Sequence, residues 1–351
     1  MLAPISVLAG LGVNVFLPQS TTSDASLGQQ LRRIDYCGSI TLVSSLVLLL
    51  IYLNDEDSQA GAAWGLSAKA GIPLAVALLA LFVVVELRWA QEPIIHLTLF
   101  SKPTVLAACL SSAFMSMAVF TLMFYVPLYL QLRGYSTSET GVRLLPESVG
   151  GGLGSLMVGC VTSRTGQYSA LKFIMPMLLV LASVGFAAIC VDSSIVLPEI
   201  YLFFNGFGFG GLLTVLLLAL LSAVPHSLQA TSTSALFAFR SIGAAIGLSA
   251  AGTMFRSRLD HQSWRHAAKD QLVFPTTSHA ELLEMRAQED VDQLIKVYMG
   301  ALHGTFQLAL AFSIAGFICA FFVKSYTLRS TIKETPTANN PLDDVQEPGV
   351  V

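Results

Sequence analysis

The chain has 351 residues, of which 54% are hydrophobic and 12% charged, with a net charge of −3 and a mean hydropathy of +0.68. A soluble domain carries roughly 25% charged residues, so this balance excludes an ordinary soluble fold, and the lack of a basic stripe excludes a nucleic-acid partner. Five cysteines, odd in number and without a C-x-x-C pair, argue against a disulfide framework or zinc site and read as small, buried, inert thiols.

The charges are clustered. No Asp, Glu, Lys or Arg occurs between Lys102 and Arg133, between Lys172 and Asp192, or between Glu199 and Arg240. A transmembrane helix needs about 20 apolar residues, so each gap holds at least one span. In chain order the first predicted span is short, residues 2–17, closed by Pro18. It has no basic n-region and so does not read as a signal peptide; it reads as the tail of a helix. Spans follow at 36–53, 70–85, 105–130, 141–161, 173–191, 199–221 and 231–255, with a break at Val224-Pro225-His226. A polar stretch at 256–298 precedes the ninth span, 302–323, and a tail rich in Pro, Asn and Asp that reads as disordered. Within the polar stretch, Leu282, Met285, Val291, Leu294 and Ile295 have helical spacing and predict an amphipathic surface helix. The fold class is all-α and polytopic, with the lipid bilayer as its first partner.

Lys and Arg in short loops set orientation. One side receives Arg32, Arg33, Arg88, Lys102, Arg164, Lys172, Lys324, Arg329 and Lys333, the other only Lys69 and Arg133, with Arg143 just inside a span. This predicts a cytosolic C-terminus and a non-cytosolic loop at 256–300.

Gly206, Gly208 and Gly211 in "NGFGFGG" have the G-x-G-x-x-G spacing of a dinucleotide site. That fingerprint needs a preceding strand and an acidic residue about 20 positions on, yet no Asp or Glu occurs between Glu199 and Asp260. Inside a span, glycines let backbones approach closely. Gly150 and Gly154 in the fifth span and Gly243-x-x-x-Gly247 in the eighth carry the same signature, so all are assigned to helix packing. No cofactor follows.

Ionisable groups within spans default to function because they are costly there. Glu147 lies six residues into the fifth span, about 9 Å at 1.5 Å per residue. It is either a proton-coupling carboxylate or half of an i,i+4 pair with Arg143; Pro146 frees a backbone carbonyl beside it. Arg240, within "FRSIGAAIG", has no acidic partner in its span. It binds an anion, fixes a carboxylate of another helix, holds a conformational latch, or caps carbonyls of a neighbouring helix. Tyr125, Tyr129 and Gln131, around a helix-interrupting Pro127 in "FYVPLYLQ", are interface anchors or pathway residues. Asn205 contacts substrate or bonds another helix. No Ser-His-Asp set, carboxylate pair, Walker loop or metal-ligand pattern exists in the sequence, so nothing indicates an enzyme or a metal site.

The stretch "GCVTSRTGQYSALK" resembles the second copy of the cytosolic loop signature of the major facilitator superfamily, G-x-L-x-D-R-x-G-R. Gly159, Arg164 and Gly166 match, while Ser163 and Gln167 stand at its Asp and second basic positions. In the family this Arg helps latch the cytosolic face. "RRIDYCGS", "EPIIHLTLF", "FYVPLYLQ", "RLLP", "GSLMVG" and "FRSIGAAIG" are similar to the fungal fourteen-span drug:proton antiporters and the vacuolar basic amino acid transporters. The resemblance implies a partial span at 1–17, a cytosolic loop at 18–35, two linker spans at 36–85, a C-terminal six-span bundle at 104–326 and a cytosolic tail at 327–351. It also implies that spans one to five of the family are missing, so the chain reads as N-terminally truncated or completed by a second subunit. The implied function is proton-coupled efflux of small organic compounds, drug or fungal metabolite, across the plasma or vacuolar membrane. Vacuolar transport of basic amino acids is the alternative, and a non-transporting half-carrier is the other class.

Overall fold

A computed structural model describes residues 36–54, 68–88, 102–190, 193–194, 196–225, 228–260 and 291–324. The expected first span, the 18–35 loop and the tail from 325 onward lie outside the described residues, as does the 261–290 part of the polar stretch. The helices are α1 (Tyr36–Asn54), α2 (Ala68–Arg88), α3 (Pro103–Leu132), α4 (Thr137–Arg143), α5 (Leu145–Thr165), α6 (Leu171–Ala187), α7 (Val196–Ala223), α8 (Gln229–Asp260) and α9 (Val291–Phe321). No strand occurs among the described residues. In lipid every backbone amide must be satisfied within its own helix or barrel, which is why the apolar runs become helices regardless of residue propensity. The chain is an integral, multi-pass membrane protein: five of these segments are long and apolar enough to cross a membrane.

Six helices, α3 and α5 to α9, form a bundle around α3, which packs on α7, α8 and α9. The apolar window of α3 is 72% buried, against 17% for the segment Thr137–Thr165. On α5 the stripe Val149, Leu153 and Leu156 is left uncovered. The core has two layers. One holds Val105, Cys109, Met175, Leu212, Leu216 and Leu220 at the basic end of the bundle; the other holds Leu122, Tyr125, Tyr129, Phe186, Leu202 and Phe306 at the opposite end. Helices α1 and α2 pair with each other and lean on α8, where Phe82 and Leu42 meet Ala235 and Phe239.

Several boundaries differ from the sequence expectation. Pro127 does not interrupt α3, which runs through it to Leu132; neighbouring helices and local adjustment let a buried helix tolerate a proline. The fifth span is preceded by a separate turn, α4, started by a capping box in which the Ser136 hydroxyl accepts from the Glu139 amide while the Glu139 carboxylate accepts from the Ser136 amide. Glu147 therefore stands in the first turn of α5. At its far end α5 continues to Thr165, so Gly159 and Arg164 are helical and not in a loop. Residues 291–302 lie within α9, in one helix with the last span, while the 279–290 part of the expected amphipathic helix lies outside the described residues, and α8 extends at least to Asp260. Cys160 and Cys190 are exposed, unlike the buried Cys109, contrary to the reading of the cysteines as buried.

Candidate functional site

The tightest contact in the bundle, between α5 and α7, is built from glycines. A Cβ on Gly206 would strike the Glu147 carbonyl oxygen, one on Gly150 the Phe203 carbonyl, and one on Gly154 the Phe207 carbonyl. Gly208 and Gly211 instead meet Met175, Leu179 and Val158. On the other side of the bundle, Gly243 and Gly247 bring α8 against the α3 backbone at Ala113 and Met117. Side chains on α5 and α7 thus meet at short range without long reach.

Glu147 uses that proximity. Asn205 Nδ2 donates to Glu147 Oε1 at 3.0 Å, and Asn205 is fully buried, its Oδ1 without a partner. The expected pair between Arg143 and Glu147 does not form. Arg143, the last residue of α4, instead pairs with Glu199 in the first turn of α7, its guanidinium 4.3 Å from the Tyr135 ring centre. A shallow pocket beside this ion pair is lined by Ser138, Glu139, Val142, Arg143, Pro146 and Glu199. One helix pair therefore carries a half-buried carboxylate with a single neutral donor, one residue along the chain from a recess that Pro146 lines together with the Arg143–Glu199 pair. That arrangement can take up and release a proton without breaking an ion pair.

Arg240 lies elsewhere. Its guanidinium packs over the Phe237 ring at 4.6 Å, and it borders a cavity of about 160 Å³ with Ser112, Leu213, Thr214, Leu217, Leu236 and Phe237. Among the described residues no carboxylate pairs with it. Ser112 and Thr214 carry no motif that sequence reading could weigh. Serines and threonines in spans ordinarily bond their own helix, as Ser116 does to the Ser112 carbonyl. Only the third dimension reveals that the Ser112 hydroxyl, fully buried, has no partner.

Tyr125 and Tyr129 are not interface anchors, because both are buried. Tyr125 packs on Phe255 with ring centres 5.2 Å apart. Tyr129 donates to the Cys190 carbonyl at 3.2 Å and accepts from Arg133 Nη1 at 3.1 Å. Gln131 is half-buried near the end of α3. None of the three is brought to Glu147 or Arg240.

At the basic end, Gly166 terminates α5 with φ 65° and donates to the Thr162 carbonyl; only glycine adopts that left-handed cap without cost. Arg164 is exposed in the last turn, and Gly159 is exposed with open space around it. Two lysines that sequence reading used only for orientation tie helix ends together: Lys172 Nζ donates to the Val323 carbonyl at 2.6 Å and Lys102 Nζ to the Ala223 carbonyl at 3.1 Å. Among the described residues no group of His, Cys, Asp and Glu could hold a metal ion.

Residues 36–248 match the model of the Major Facilitator Superfamily. The efflux pump FUS6 of Gibberella fujikuroi is 27% identical over an alignment that covers 96% of this chain and 64% of the pump. A vacuolar membrane amino acid uptake transporter, fnx2, of Schizosaccharomyces pombe is 26% identical, covering 70% of this chain and 43% of that protein. The fold resembles that of a bacterial homologue of the human lysosomal transporter Spinster, solved in an inward-facing, occupied conformation. The TM-score is 0.51 at 16% identity, over 82% of this chain and 63% of that one. In each case the chain spans less than two-thirds of the length of its relative.

Proposed function

The chain belongs to the Major Facilitator Superfamily, and from that premise we propose that it forms one wall of a proton-coupled carrier that exports small organic compounds. The observation that carries the reading is the Glu147–Asn205 bond between α5 and α7. Carriers of this kind hold substrate between two bundles that rock about a central site. A carboxylate on a glycine-packed helix pair can change protonation as the pair shifts, with Asn205 holding it in place when ionised. Arg143 is occupied by Glu199, so proton exchange at Glu147 costs no ion pair. The opposing wall comes from further chain or from a second subunit. Residues 36–85 serve as linker spans, and the excess of Lys and Arg at one end of the bundle sets that end and the C-terminus in the cytosol.

A second reading, uptake of basic amino acids across the vacuolar membrane, is favoured by the similarity to fnx2 and by Glu147 as a counter-charge for a cationic side chain. One experiment separates them. Sealed vesicles containing the chain together with its opposing wall are given a proton gradient and assayed with a cationic dye, a carboxylate-bearing dye, lysine and arginine, for wild type and Glu147→Gln. Proton-driven movement of either dye that drops at least tenfold in the variant supports export; movement restricted to lysine and arginine supports the vacuolar reading. A stably inserted assembly that includes the opposing wall and moves none of them overturns both.

A further inference from the structure

The cavity between α3, α7 and α8 sits at one depth. Ser112 is nine residues from the start of α3, Thr214 nine from the end of α7 and Arg240 eleven from the start of α8; at 1.5 Å per residue these are about 14, 14 and 17 Å from the basic end of the bundle. In a hydrocarbon layer of about 30 Å that is the middle, where an arginine without a counter-charge is costly. Among the described residues Arg240 has only the Phe237 ring.

The hydrogen-bond inventory of the cavity decides the sign of its ligand. Thr214 donates to the Gly210 carbonyl at 3.1 Å, so its 3.1 Å contact with Ser155 uses the Ser155 proton. The donors left over are the Ser112 hydroxyl, fully buried and unpartnered, and the guanidinium fork of Arg240. Leu213, Leu217, Leu236 and Phe237 supply apolar walls. A planar oxyanion matches such a fork bidentately, with the hydroxyl as a third donor. The volume, about 160 Å³, is below the roughly 300 Å³ of a full drug-sized pocket, so the cavity takes one end of a molecule.

We propose that Arg240 and Ser112 form a subsite for the carboxylate of the transported compound, whose substrates are therefore organic acids or zwitterions bearing a carboxylate. This rests on the carrier reading for its physiological meaning, but its test is binding, which does not require transport. The purified chain is titrated with benzoate, with its neutral isostere benzamide, with lysine, with lysinamide and with inorganic phosphate, and heat of binding is recorded. The expected result is that at least one acid binds tenfold or more tighter than its amide, benzoate marking an organic acid and lysine an amino acid. Arg240→Gln abolishes that preference, Arg240→Lys retains part of it, and Ser112→Ala weakens acid binding several-fold without changing amide binding. The wild-type ligand pairs keep the test valid should a variant fail to fold. Equal binding of acid and amide, tighter binding of phosphate than of either acid, or a preference untouched by Arg240→Gln overturns the proposal. Acid-selective binding in a chain that transports nothing leaves the subsite standing and removes the carrier reading alone.

Discussion

Asn205 Nδ2 stands 3.0 Å from Glu147 Oε1, so the one acid in the first turn of α5 is held from another helix while its neighbour four residues back, Arg143, is engaged by Glu199. The glycines that remove side-chain bulk between α5 and α7 make this bond possible. Replacing Asn205 with Ala deletes the donor and leaves a small void. A buried interhelical hydrogen bond in a membrane bundle contributes about 1 kcal/mol. Asn205→Ala is therefore expected to lower the thermal midpoint modestly in detergent while cutting proton-driven transport at least tenfold. Transport at the wild-type level in Asn205→Ala would remove Asn205 from the pathway.

Packing at Gly206 has no slack, because a Cβ there would collide with the Glu147 backbone. Gly206→Ala is expected to cost about 2–3 kcal/mol through overpacking, seen as a lowered unfolding midpoint or reduced recovery of folded protein. Gly152, on the facing helix α5 five residues beyond Glu147, has open space where a Cβ would stand. Gly152→Ala should be neutral or raise stability by about 0.5–1 kcal/mol, as expected when helix-interior glycine becomes alanine. Equal effects at the two positions would contradict the glycine-mediated contact.

The left-handed cap at Gly166, φ 65°, gives a third test. Gly166→Ala places a Cβ in that region at about 1–2 kcal/mol, whereas Gly166→Asn, better suited to the conformation, should cost less. Comparing the two unfolding midpoints separates backbone strain from loss of a contact, since nothing lies within 4 Å of where the Cβ would be.

Lys172, 8% exposed, bonds the Val323 carbonyl beyond the end of α9. A hydrogen bond from a charged donor contributes about 1.5–3 kcal/mol, so Lys172→Met should loosen that end. Faster amide exchange at 319–324, with exchange in α7 unchanged, is the expected signature; uniform acceleration across the bundle would point to global destabilisation.

Orientation is testable with Ser138→Cys and Ser169→Cys, two exposed positions at opposite ends of the bundle, in a background lacking the native cysteines. In sealed vesicles with the cytosolic face inward, a membrane-impermeant maleimide should label position 138 alone. Labelling of 169 alone would invert the topology.

The sequence by itself determined that this is a polytopic helical membrane protein, where most spans lie, and that the G-x-G-x-x-G stretch is no nucleotide site. Those conclusions follow from local quantities: the length of charge-free runs, and the need of a backbone in lipid to bond within its own helix. It also singled out Glu147, Asn205 and Arg240, because polar groups inside apolar runs are conspicuous. Only the tertiary structure decided their partners. Sequence spacing offered Arg143 to Glu147, but the approach of α7 gave Arg143 to Glu199 and Glu147 to Asn205. It buried Tyr125 and Tyr129, which spacing set near an interface, and it exposed Ser112 as a donor without a partner. Partner choice depends on which faces of different helices cross and at what depth, and that is set by how glycines and side chains interlock across the bundle, a relation that no single segment contains.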